Sequence, residues 1–100
     1  MVIEFKNIGK HLGTRHSGAS VRQRIIDALN SGDTVVFDFK EVETVANSFA
    51  DECFAKLLFL FEFDTIKSHT TFRNASQFIK DVIASSFRNR IAQQHPADTI

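Results

Sequence analysis

The segment Thr34-Val-Val-Phe-Asp-Phe-Lys-Glu-Val-Glu-Thr-Val-Ala-Asn-Ser-Phe-Ala-Asp-Glu-Cys-Phe-Ala-Lys-Leu-Leu58 decides the fold. Thr34 to Phe39 is apolar on both faces except at Asp38, the pattern of a central strand covered on both sides. Val42 to Ala46 reads as a short extended connection. From Ser48 the period changes, and Ala50, Cys53, Phe54, Leu57, Leu58 and Phe61 follow a helical repeat. Ser48 followed by Asp51 has the form of a capping box, although Glu or Gln is the usual partner. A buried strand linked briefly to an amphipathic helix is the building unit of parallel sheets.

The flanking sequence extends this unit in both directions. Upstream, residues 2–8 predict a short strand in which Ile3 and Phe5 alternate with Glu4 and Lys6. Gly9, Gly13 and Gly18 punctuate a loop, and a helix is expected from Ala19 to Ser31. Val21, Ile25, Ala28 and Leu29 share one face of that helix, and Gly32 is placed to stop it. Downstream, Thr65 to Phe72 is a weaker, more polar strand. Asn74 and Gln77 form a capping pair before a third helix that ends near Gln93. Its apolar face holds Ala75, Phe78, Ile79, Val82, Ile83, Phe87 and Ile91. The order β-α-β-α-β-α predicts an α/β fold with a small parallel or mixed sheet covered by helices and joined by right-handed crossovers. Residues 1–93 form a single domain in this reading, with 94–100 as a flexible tail because Pro96 does not continue a helix.

Composition narrows the class. At 100 residues there is room for one domain. Twelve basic and twelve acidic side chains cancel, so bulk attraction to nucleic acid or an anionic membrane is not expected. One cysteine, Cys53, excludes an intramolecular disulfide framework. The longest strongly apolar run, Leu57 to Phe61, is far too short to span a membrane, and the first residues lack the apolar stretch of a signal peptide, so a cytoplasmic location is expected. The aromatic set is unusual, with eleven Phe and neither Tyr nor Trp. Phe54, Phe61, Phe78 and Phe87 fall on helical core faces, and Phe5, Phe37 and Phe39 on buried strands. Phe72 falls at a strand end.

Three stretches carry candidate chemistry. In the glycine-punctuated loop, Thr14, Arg15 and Arg22 lie near a helix N-terminus, an arrangement that suits a phosphate or carboxylate and equally an ordinary loop with surface arginines. Asp38 lies near the C-terminal end of the central strand, where ligands bind in open α/β sheets. With Asp51 and Glu52 it supplies the carboxylates a Mg²⁺-dependent enzyme would need, but acidic residues in a first turn also simply suit the helix dipole. Ser48, at a helix start, is either a plain cap or a phosphorylation site. There a phosphoryl group of roughly −1.5 to −2 charges would meet Asp51 and Glu52. On the same helix Phe59 points away from the core beside Glu52 and Lys56, with Phe63 near it and Phe49 and Leu60 on the flank. That surplus of apolar surface is expected to contact a protein partner or a second copy, unless the third helix or the tail covers it. No Walker A loop, Gly-x-Ser-x-Gly or His-Glu-x-x-His is present, the four histidines lack metal spacing, and no cofactor is expected.

The Thr34–Leu58 run resembles the STAS superfamily, which includes the anti-sigma factor antagonists. The likeness lies in the strand ending apolar-Asp-apolar, the short link, and Ser at the start of an apolar-faced helix. It is greatest to a STAS-like family of bacterial domains with unassigned function, through Gly13, Thr14, Arg15, Gly18 and Arg22, the run Ser48 to Glu52, and Asn74. The resemblance covers about residues 5–83. It implies a regulatory, non-enzymatic interaction module whose partner is an ATP-binding kinase of the anti-sigma type. Ser48 matches the serine that such a kinase phosphorylates, and that modification prevents binding. Here Asn47 stands where Asp commonly precedes the serine, and Phe49-Ala50 replaces a small Gly-rich turn. The expected contact surface comprises Asp38, Asn47, Ser48, Phe49, Glu52, Lys56 and Phe59. The alternative is a ligand-sensing domain that binds an anion through Arg15 and Arg22.

Overall fold

The computed structural model describes residues 1–94. In chain order the elements are β1 (Val2–Glu4), β2 (His11–Leu12), α1 (Arg15–Asn30), β3 (Val35–Asp38), β4 (Thr44–Val45), α2 (Asn47–Cys53), α3 (Phe63–His69), β5 (Thr70–Arg73) and α4 (Gln77–Gln94). Short 3₁₀ segments cover Phe5–Asn7 and Ala55–Phe59. β3 is the centre of a three-stranded parallel sheet, paired with β1 on one side and β5 on the other. Ile3, Phe37 and Phe72 lie in register across it. This is the expected small α/β fold built around the Thr34–Phe39 strand. The expected tail falls, from residue 95 on, outside the described residues; Gln94 is the last residue of α4. Among the described residues no helix is long and apolar enough to cross a membrane.

The sequence pattern misses a second, two-stranded sheet. β2 pairs with β4 in parallel, His11 opposite Thr44 and Leu12 opposite Val45. Strands of two residues carry no readable period, so β4 is hidden within an apparent linker. The pairing brings the Gly13–Thr14 turn to the start of α2, where the Ala46 N–H donates to the Leu12 carbonyl at 2.8 Å.

Phenylalanine fills the centre of the core. Phe5 stacks on Phe39 with centroids 4.5 Å apart, Phe54 meets Phe37 edge-on at 5.1 Å, and Phe49 meets Phe5 edge-on at 6.3 Å. Such pairs are favoured beyond the area they bury. Phe49 is therefore fully buried and does not form part of an exposed surface. Phe78, expected in the core, is exposed instead, because α4 turns Ile79, Ile83 and Phe87 inward.

Two helices differ from their expected course. The helix after Ser48 ends at Cys53 and continues as the 3₁₀ segment Ala55–Phe59, whose tighter winding buries Leu57 and turns Phe59 out. Residues 63–69 are helical, so only Thr70–Arg73 remains of the expected 65–72 strand. The α4 start is capped by Ser76, whose Oγ accepts the Ile79 N–H at 3.2 Å; Asn74 is not the cap.

α1 begins four residues earlier than its apolar pattern suggests. Thr14 is the N-cap, and its Oγ1 accepts the Ser17 N–H at 3.2 Å. At the other end Gly32, at φ +77°, closes a Schellman motif. The Asp33 N–H reaches the Ala28 carbonyl at 3.0 Å and the Gly32 N–H the Leu29 carbonyl at 3.1 Å.

The early start places Gly18 inside α1, buried against α2. A Cβ at Gly18 would sit 3.1 Å from the Phe49 carbonyl oxygen, 3.1 Å from Glu52 Cβ and 3.3 Å from the Cys53 nitrogen. Two of these three contacts are backbone, which cannot swing aside. Gly18→Ala gains about 1 kcal/mol of helix propensity, against an overpacking cost of about 1–3 kcal/mol. Urea unfolding is expected to show a net loss of about 1 kcal/mol for Gly18→Ala; a gain would contradict the close approach.

Candidate functional site

The close approach at Gly18 sets arginines of α1 beside the carboxylates of α2. Glu52, nearly buried, accepts from Arg22 Nη1 at 2.8 Å and Arg15 Nη1 at 3.1 Å, and pairs with Lys56 Nζ at 2.9 Å. Arg22 also donates to the Glu52 backbone carbonyl. Asp51 is held by Arg90 of α4 in a two-pronged pair, Nε to Oδ1 at 2.6 Å and Nη2 to Oδ2 at 2.7 Å, and by Arg15 Nη1 at 2.9 Å. Four cations thus surround two carboxylates and tie together α1, α2, the 3₁₀ segment and α4. Hydrogen bonds from Arg22 and Lys56 hold the Glu52 carboxyl at about 2, and those from Arg90 and Arg15 hold Asp51 at about 2.

This network corrects several expectations. Arg15 and Arg22 are engaged with carboxylates of α2, Arg15 while also lining the cleft described below, and Thr14 serves α1 as its cap. Glu52 faces α1 rather than solvent, because burying a carboxylate requires cationic partners and α1 supplies them. Lys56 is partly buried against it. Asp38 does not join Asp51 and Glu52. No cluster of three or more His, Cys, Asp or Glu residues suited to a metal occurs among the described residues.

Asp38 has a separate task at the end of β3. Its Oδ1 accepts from Asn74 Nδ2 and from the Lys40 N–H, each at 3.0 Å, and its Oδ2 accepts from Arg73 Nη2 at 3.0 Å. Asn74 sits in the left-handed region at φ +57°, a conformation its short side chain tolerates. These bonds, led by that from Asn74, lower the Asp38 carboxyl to about 2. Asp38 is thus a nearly buried lock between β3 and the turn after β5, not a contact residue. A buried carboxylate at a strand end calls for partners, but the sequence does not say that Arg73 and Asn74 supply them.

Ser48 lies one residue inside α2, whose N-cap is Ala46, so it does not form the expected capping box with Asp51. Its Oγ donates to the Gly13 carbonyl at 3.1 Å. It lines a polar cleft of about 360 Å³ between α2 and α4, with Asn47, Arg15, Arg90, Ser85 and Asn89. Arg90, not among the expected site residues, reaches from this cleft to the ring of Phe59, 5.4 Å from its centroid. Phe59 is 61% exposed and the adjacent Leu60 63%. Phe63 starts α3 and packs on Phe87 at 5.2 Å. Of the expected contact residues, Asn47 and Ser48 thus line the cleft and Phe59 is exposed beneath Arg90, while Phe49, Glu52 and Asp38 are buried.

The three depressed carboxyls fix the sign of the pH dependence. A folded-state pKa below the ordinary 3.8 of Asp or 4.5 of Glu contributes stability that is complete above the ordinary value and lost as pH falls toward about 2. The urea midpoint is expected to fall steeply between pH 4.5 and 2 and to fall less in Glu52→Gln. Equal acid sensitivity of the two proteins would contradict the role of Glu52.

Residues 17–80 match the family described as STAS-like domain of unknown function (DUF4325). No curated protein and no solved structure matches the chain. The matched span holds Gly18, Arg22, Asp38, Ser48, Asp51 and Glu52, whereas Arg15 and Arg90 lie outside it. A match over most of the chain, on a small parallel α/β sheet with Ser48 in the first turn of the helix that follows its central strand, makes this protein a member of the STAS-like domain family.

Proposed function

We propose that this domain is a non-enzymatic regulatory module that docks a protein partner through the polar cleft at Ser48 and the adjoining Phe59–Leu60 patch. The observation that carries this reading is Arg90, which is bound to Asp51 in the cleft and lies over the exposed ring of Phe59, so the two surfaces are continuous. Exposed neighbouring aromatic and aliphatic side chains beside a polar rim suit protein contact. The partner is an ATP-binding kinase of the anti-sigma type, the kind the family resemblance implies, and the setting is cytoplasmic.

Phosphorylation of Ser48 is the switch in this proposal. Asp51 and Glu52 are already matched by cations, so a phosphoryl group there meets Arg15 and Arg90, which line the same cleft. Competition for Arg90 weakens its bond to Asp51 and moves it from Phe59, altering both halves of the docking surface at once. The alternative, an anionic ligand held by Arg15 and Arg22, has less support because both guanidiniums are bound to Glu52.

The test is capture from the source cell with wild type, Phe59→Glu, Ser48→Asp and Ser48→Ala, read by mass spectrometry, with sedimentation to follow self-association. Wild type and Ser48→Ala are expected to retain the same ATP-binding partner. Phe59→Glu and Ser48→Asp are expected to lose it with an unchanged circular dichroism spectrum. Equal retention by all four proteins would reject the docking surface.

A further inference from the structure

The core is open on the side of β5. Between β5, α3 and α4 lies a cleft of about 340 Å³ that shares no lining residue with the cleft at Ser48. Its size falls within the roughly 300–1,000 Å³ of small-molecule sites. The buried rings of Phe37 and Phe54 form its floor, and Phe63, Phe72, Ile83 and Phe87 line its sides. Polar character is confined to Thr70, Thr71 and two lysines, Lys67 of α3 and Lys80 of α4; no carboxylate lines it. Among the described residues neither lysine forms an ion pair.

We propose that this cleft binds a small amphiphilic carboxylate, its apolar tail against the phenylalanine rings and its carboxylate paired with Lys67 and Lys80. Charge complementarity selects this occupant. Lys67 and Lys80 reach the rim of one apolar cleft from different helices and no carboxylate lines it, so a carboxylate head group meets two cations there that a neutral hydrophobe does not engage. Enclosure by a sheet and two helices favours a compact ligand over a flat protein surface.

The probe is decanoate, titrated calorimetrically into the full chain below its micelle threshold, with 1-decanol as the neutral control. Decanoate is expected to bind saturably at one site, about tenfold or more tighter than decanol, a difference of about 1.4 kcal/mol or more. Lys67→Ala with Lys80→Ala is expected to erase that preference. Ala84→Trp, which places an indole in the cleft, is expected to abolish binding of both compounds. Backbone amide shifts confined to residues 63–72 and 80–87 and to the floor around Phe37 and Phe54 locate the ligand independently, should the tryptophan variant not fold. Absence of saturable binding, an unchanged preference in the double lysine variant, or shifts elsewhere would overturn the proposal. So would a concentration-dependent dimer that decanoate does not dissociate and that amide shifts map to this cleft, since a second copy would then be the occupant.

Discussion

Gly18 has no Cβ, and α1 and α2 meet where one would sit, 3.1 Å from the Phe49 carbonyl and 3.3 Å from the Cys53 nitrogen. Backbone approaching side chain and backbone at that distance leaves no room for charged groups at the centre of the contact. They are pushed to its edges, where Arg15 lies before Gly18 and Arg22 one turn after it. Both arginines reach Glu52, and Arg15 also reaches Asp51. The carboxylates lose most of their water, and the arginines replace it. Cationic partners of this kind offset the cost of withdrawing an acid from water. The same contact places Phe49 and Phe54 among the rings of Phe5, Phe37 and Phe39, so the helix pair and the aromatic core are set by one packing event.

The clamp also determines what α2 offers to other molecules. A helix start with two acids would ordinarily present negative charge. Here both acids are occupied, and the groups left at the surface are Asn47, Ser48 and, at the end of the 3₁₀ segment, Phe59 and Leu60. Arg90 extends the clamp to α4 and to the Phe59 ring, which gives a charge change at Ser48 a physical route to an apolar surface. In the proposed module that route is the regulatory device, and it runs through Arg90, hydrogen-bonded to Asp51 and lying over Phe59, rather than through a change of fold.

Much of this architecture is legible in the chain. Thr34–Phe39 could only be a central strand, and the 3.6-residue spacing of Val21, Ile25, Ala28 and Leu29 located α1. The start of α1 is not legible because Arg15, His16, Ser17 and Gly18 carry no apolar signal, although Thr14 is a competent cap. β2 and β4 are too short for any period to be seen. The helical repeat places Phe59 outward, as observed, but puts Phe49 on the flank, whereas it is fully buried. Its burial is a tertiary outcome, the ring of Phe49 in α2 packing edge-on against Phe5 of a distant segment. The candidate site was legible as a segment, Asn47 to Phe59, but not as an arrangement. The arginines near Ser48 looked free because their partners are 30 to 39 residues away in sequence.

The central claim is that the contact at Gly18 is locked by charge between α1 and α2. A double-mutant cycle on Arg22→Met and Glu52→Gln, read by urea unfolding at pH 7, measures that lock most directly. The account predicts a coupling of about 2 kcal/mol, in keeping with a charge-assisted pair largely withdrawn from water. Additive effects, with coupling near zero, would mean that the helices are held by apolar packing alone and that the arginines are bystanders.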